Sequence, residues 1–168
     1  MKVINLGTMT RAIEIIDGLG KKRLANADVR FQNVHLKKIN KLIGKQVFTK
    51  NDLFMDAGGL WDILQEENGT IGKHHHYHGL SPASVIKALA SLQNPELVAL
   101  EFQTRRYVVV TLSVEGRAML AVIETGASLR NDRNANVNKL VTLYEKNDFS
   151  EYLRRIEKRA GTRVIYKK

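Results

Sequence analysis

Apolar residues recur at helical spacing early in the chain. Met9, Ile13, Ile16 and Leu19 fall on one side of a helix over Thr8–Leu19, which gives way to Gly20 and the basic run Lys21-Lys22-Arg23. Val34, Leu36, Ile39, Leu42 and Ile43 repeat the pattern, with Lys37, Lys38 and Lys41 on the other faces and Gly44 as the stop. Gln46–Lys50 reads as a short extended piece. Asn51 or Asp52 can cap a following helical stretch, which Gly58-Gly59 should interrupt before Trp61–Gln65. Glu66–Gly72 is then a loop, and Ser81-Pro82-Ala83-Ser84 is a helix start with a capping hydroxyl and proline at the first helical position. Val85, Ile86, Leu89 and Leu92 supply that helix's apolar face, and Pro95 ends it, because proline disfavours helical backbone in the residue before it.

Beyond Pro95 the period becomes extended. Leu97–Gln103, Tyr107–Val114, Met119–Glu124 and Val137–Tyr144 are rich in Val, Leu, Thr and Tyr, and are separated by Glu115-Gly116 and a longer loop over Gly126–Asn136. Ser150–Arg159 reads as a helix and Arg163–Tyr166 as a last short strand. Helices followed by a meandering sheet predict the α+β class, with N-terminal helices packed on a four-stranded antiparallel sheet.

The net charge of +10 sharpens this picture through its placement. Eleven Lys/Arg face three Asp/Glu in residues 1–50, five face nine in 51–125, and eleven face five in 126–168. Basic ends attract polyanions and release counterions on binding phosphate, so RNA or DNA is the favoured partner class, against the plainer alternatives of a solvated basic surface or a membrane-proximal or acidic-protein contact. The chain has no cysteine, which excludes disulfides, thiolate metal ligands and cysteine catalysis. No window is apolar enough to span a bilayer and no secretion signal opens the sequence, so a cytoplasmic protein without membrane contact is expected.

Two constellations carry candidate chemistry. Lys73-His74-His75-His76-Tyr77-His78 holds four of the five histidines, just before a helix start, where unpaired N–H groups attract anions. Histidine can act as base and acid near neutrality, as cleavage of RNA through its own 2′-hydroxyl demands. No carboxylate or cysteine stands close enough to complete a familiar metal-ligand spacing, so no metal or cofactor is expected. A plain polar loop is the competing reading of the run. In the second constellation, Asn134–Tyr144, strand alternation puts Asn138, Leu140, Thr142 and Tyr144 on one face and Lys139, Val141 and Leu143 on the other. An ordinary edge strand explains that pattern equally well. Arg105-Arg106, between two strands, is a candidate phosphate clamp or a solvated turn.

Taken in order, these pieces resemble the phage-associated nuclease toxins of the barnase/EndoU/colicin/RelE-like (BECR-fold) superfamily, found as domains of phage head-morphogenesis (MuF-type) and polyvalent proteins. The resemblance runs over residues 45–168. It is carried by Val47-Phe48, Leu60-Trp61-Asp62-Ile63, Ile71-Gly72-Lys73-His74 through His78-Gly79-Leu80-Ser81-Pro82, Ala88–Leu92 with Asn94-Pro95, Arg106–Thr111, Asn138–Tyr144 and Val164–Lys168. It implies a nuclease domain over 45–168, with residues 1–44 as a basic helical extension. It also implies a metal-independent endoribonuclease that cuts RNA by transesterification to a 2′,3′-cyclic phosphate. His74 or His78 would then be the base or acid, Thr142 would hold the scissile phosphate, Lys139, Tyr144 or Arg106 would neutralise charge, and Lys73, Arg105 and Arg106 would bind RNA. The implied partners are an RNA substrate, with tRNA a candidate, and an acidic immunity or antitoxin protein. The alternative is a non-catalytic RNA- or DNA-binding module or a degenerate phage structural protein.

Overall fold

The sheet begins earlier than the periodicity predicts. Lys2–Leu6 forms β1, and helix α1 (Met9–Lys21), capped by the Thr8 hydroxyl, returns the chain to β2 (Ala27–Phe31), which pairs parallel with β1. The structure is a computed structural model that describes residues 2–24, 26–65, 78–113 and 116–168. Helix α2 (Lys37–Ile43), β3 (Leu53–Asp56), α3 (Ala57–Leu64) and α4 (Pro82–Ser91) follow, then β4 (Leu97–Glu101), β5 (Arg106–Leu112), β6 (Ala118–Leu129), β7 (Asp132–Lys146), α5 (Phe149–Lys158) and β8 (Thr162–Lys167).

These strands form one eight-stranded mixed sheet in the order β1-β2-β3-β7-β6-β5-β4-β8. The α+β class stands, but the four-stranded antiparallel sheet expected from the sequence and from the BECR-fold resemblance does not. Strands β7, β6, β5 and β4 are antiparallel neighbours as expected, whereas β1–β2 and β3–β7 are parallel. The missed strands are short. Ala27-Asp28-Val29-Arg30-Phe31 does alternate, turning Ala27, Val29 and Phe31 into the core, but five residues between two helical signals make a weak pattern. Residues 1–44, read as an extension, supply two strands and two helices to the common sheet and core.

Other boundaries also moved. Gln46–Lys50 is not a strand, because the buried Asn40 side chain takes its backbone groups: Val47 and Phe48 N–H donate to Oδ1 at 3.0 and 2.9 Å, and Nδ2 donates to the Phe48 carbonyl at 2.8 Å. Phe48 is thereby held in the core, its ring 5.7 Å from that of Tyr107. Gly58-Gly59 does not interrupt α3, which runs through both. A Cβ at Gly58 would lie 3.0 Å from the Arg23 guanidinium and one at Gly59 3.1 Å from Met55 Cε, so these glycines serve close approach. The predicted loop over Gly126–Asn136 is mostly the tip of the long β6–β7 hairpin.

One face of the sheet packs under α1 to α4. Residues such as Ile16, Leu36, Leu60, Val85, Val109, Ala121, Leu140 and Leu143 build that core. The other face packs a smaller cluster, including Val108, Leu120 and Val122, beneath Ile156 of α5.

Strand β3 pairs with β7 at two positions only, Leu53↔Asn138 and Phe54↔Lys139. The buried Asn138 side chain reinforces this short join, donating to the carbonyls of Lys50 at 2.9 Å and Asp52 at 3.3 Å. Asn138→Leu retains the volume but removes the donor from two carbonyls, so stability should fall by about 1–3 kcal/mol. Urea unfolding measures it, and an unchanged midpoint would mean that Asn138 does not secure the join.

Candidate active site

β3 pairs with β7 only as far as Phe54 and Lys139; Met55 and Asp56 continue along β2, and after Asp56 the chain leaves the sheet and becomes α3. Among the described residues, positions 140–146 of β7 pair with β6 alone. The segment after α3 lies alongside α3's last turn, with His78, Gly79 and Leu80 N–H donating to the carbonyls of Asp62, Gln65 and Ile63. This brings His78 to the open edge of β7, where Nδ1 lies 2.6 Å from the Leu143 carbonyl. A carbonyl can only accept. Nδ1 therefore carries the proton, and Nε2 of the neutral ring is left with a lone pair, the form a general base requires.

Around His78 lies a cleft of about 590 Å³, lined also by Gly59, Asp62 and Ile63 of α3 and by Val141, Thr142, Tyr144 and Lys146 of β7. Gly59 and Val141 also border a smaller cleft of about 210 Å³ that contains Asp56, Arg106, Glu124 and Lys139. Two neighbouring hollows thus gather His78, Thr142 and Tyr144 in one and Lys139 and Arg106 in the other. Arg105 stands apart in the β4–β5 turn with φ 53°. Lys73 and His74, with His75, His76 and Tyr77, lie outside the described residues.

The faces of β7 differ from simple alternation. The ladder to β6 shifts register between Thr142, opposite Val122, and Leu140, opposite Ile123, so Val141 is the extra residue of a bulge. Partners across an antiparallel ladder share a face. Glu124 and Val122 lie on one face of β6, so Lys139 and Thr142 opposite them lie on one face of β7, joined by Tyr144 opposite Leu120. Leu140 and Leu143 enter the main core on the other face. The bulge therefore aligns two residues that regular pleating would separate.

Charges in the site are largely committed. Lys139 Nζ lies 3.7 Å from Asp56, which also pairs with Arg130 at 2.7 Å, and Arg23 lies 3.7 Å from Asp62. Lys146 lies 5.6 Å over the Tyr144 ring, and that ring meets the His78 ring edge-on at 5.8 Å. Burial pushes the Tyr144 phenol above its ordinary pKa, with the nearby Glu101 charge adding to the effect, so near neutrality the phenol stays protonated and acts as a donor. Lys146 escaped the sequence reading, although its spacing two residues beyond Tyr144 was the available signal. Asp62, Asp56, Glu124 and Arg130 left no such signal, because strand pairing and hairpin reach bring them in. Among the described residues no group of three or more His, Asp or Glu side chains could hold a metal ion, and no helix is long and apolar enough to cross a membrane.

No protein-family model, curated protein or solved structure matches the chain.

The tautomer is directly testable. Long-range ¹H–¹⁵N spectra taken where the ring is neutral should show the proton of His78 on Nδ1 and not on Nε2, and His78→Asn, whose amide can still donate to the Leu143 carbonyl, should unfold near the wild-type temperature. An Nε2-protonated ring would remove the base from the site.

Proposed function

We propose that the protein is an endoribonuclease that cleaves RNA by 2′-hydroxyl transesterification without a metal ion. The observation that carries this reading is the bond from His78 Nδ1 to the Leu143 carbonyl, which leaves Nε2 basic in a cleft beside Thr142, Tyr144 and Lys146. In this reading Nε2 takes the proton of the 2′-hydroxyl, whose oxygen forms a bond to phosphorus as the bond to the 5′-oxygen breaks. The Thr142 hydroxyl and the Lys146 ammonium hold the phosphate as charge builds on it. Tyr144 gives its proton to the departing 5′-oxygen. A phenol that holds its proton near neutrality can still yield it to an alkoxide, which is more basic. The products are a 2′,3′-cyclic phosphate and a 5′-hydroxyl. The eight-stranded sheet removes the fold as an argument for the BECR family, so the nuclease reading rests on the site and on the basic character of the chain.

Purified protein in EDTA should cut a mixed RNA pool to cyclic-phosphate ends. His78→Asn should abolish cutting, and Thr142→Val, which keeps the branched shape, should slow single-turnover cleavage on the order of 100-fold with unchanged thermal stability. RNA left intact in EDTA but cut once a divalent metal is added would refute the mechanism. RNA bound but never cut would leave a nucleic-acid-binding module.

The assignment of the acid has its own test. Tyr144→Phe should slow cleavage of ordinary RNA by about 100-fold or more and should spare a substrate whose 5′-oxygen is replaced by sulfur, a leaving group that needs no proton. Equal slowing of both substrates would reassign the acid.

A further inference from the structure

The cleft around His78 continues past Tyr144 and Lys146 into a separate groove between the end of β7 and α5. This groove has a volume of about 340 Å³ and is also lined by Asn147, Asp148, Glu151, Tyr152, Arg155, Ile156 and Arg159. We propose that it binds a nucleotide adjoining the scissile bond in single-stranded RNA, with the base against Tyr152 and its backbone phosphate against Arg159. The proposal rests on the nuclease reading for the place of the scissile bond.

Three observations carry it. Tyr144 and Lys146 line both hollows, so a strand with its reacting phosphate beside Thr142 passes into this groove with its next unit. The groove's uncommitted charge is positive. Its two carboxylates are engaged, Glu151 by Arg155 one helical turn on and Asp148 by the Glu151 N–H it caps at 3.0 Å, whereas among the described residues Lys146 and Arg159 form no ion pair. An aromatic face also stands beside those cations. Lys146 covers the ring of Tyr144, so Tyr152, half-buried, is the ring left for a base, and phenol and base can stack without sequence preference. At 340 Å³ the groove lies near the lower end of the roughly 300–1,000 Å³ spanned by small-molecule sites, a size suited to one nucleotide.

The test reads binding separately from cleavage. The probe is a fluorescein-labelled, single-stranded 2′-O-methyl hexanucleotide, which lacks the attacking hydroxyl, and the readout is fluorescence anisotropy across a salt series. Tyr152→Leu should weaken binding about 10-fold or more. Arg159→Gln should weaken it and lower the slope of log affinity against log salt by about 0.7. A duplex of the same sequence should compete poorly. Tyr152 packs against the smaller core, so thermal unfolding accompanies each variant; if Tyr152→Leu fails to fold, the exposed Arg159 decides alone. Folded variants with wild-type affinity and salt slope, a duplex that binds as tightly as the single strand, or a wild-type protein that does not bind the probe would each overturn the proposal. Wild-type protein that binds in this way yet never cuts the corresponding 2′-hydroxyl RNA would leave the groove standing and remove the catalytic reading. Cutting with no effect of either variant on affinity would do the reverse.

Discussion

The two-residue parallel contact between β3 and β7 is the constraint on which the rest of the molecule depends. It joins the β1-β2-β3 group to the antiparallel strands, and it ends at Phe54 and Lys139, while Met55 and Asp56 carry on the pairing with β2 before the chain enters α3. A longer β3 would cover the β7 edge. Instead the Leu143 carbonyl is left for His78, and the space between α3 and that edge becomes a cleft. Buried backbone groups need partners, so a strand end within a sheet must be answered by a side chain, water or ligand. Here Asn138 answers on one side of the gap and His78 on the other.

The bulge at Val141 completes the arrangement. Without it Lys139 would point into the helical core, where an ammonium without a partner is strongly disfavoured. With it Lys139 emerges on the same face as Thr142 and finds Asp56. Asp56 in turn holds Arg130 from the hairpin tip. A single ion-pair cluster thus ties the end of β3, the middle of β7 and the tip of the β6–β7 hairpin beside the candidate site. Most of its charge is internally balanced, and among the described residues Lys146 and, further along, Arg159 stand outside this ion-pair cluster.

The sequence made the helical boundaries over Ser81–Leu92 and Ser150–Arg159 and the β4 to β8 strands legible, because each signal there is local: a capping hydroxyl, a proline, a run of β-branched residues. It also drew attention to His78, Thr142, Tyr144, Lys139 and Arg106, which two neighbouring clefts now hold. The first three strands were not legible. Five-residue and four-residue segments beside stronger helical patterns are decided by what lies next to them in the sheet, and the pairing of β3 with β7 spans more than eighty residues of chain.

Residue chemistry was therefore determined by the sequence alone: no thiol, a strongly basic balance, a cluster of imidazoles, and a strand bearing Lys, Thr and Tyr. Which of those groups meet was decided only in three dimensions. Strand alternation has a period of two, so one inserted residue reverses every face assignment beyond it, and whether a residue is inserted depends on the register of β6 against β7. The same holds for His78. The tautomer that leaves its Nε2 a lone pair is set by a carbonyl 65 residues away, on a stretch of β7 that β3 does not pair, and no local pattern around the histidines encodes that event.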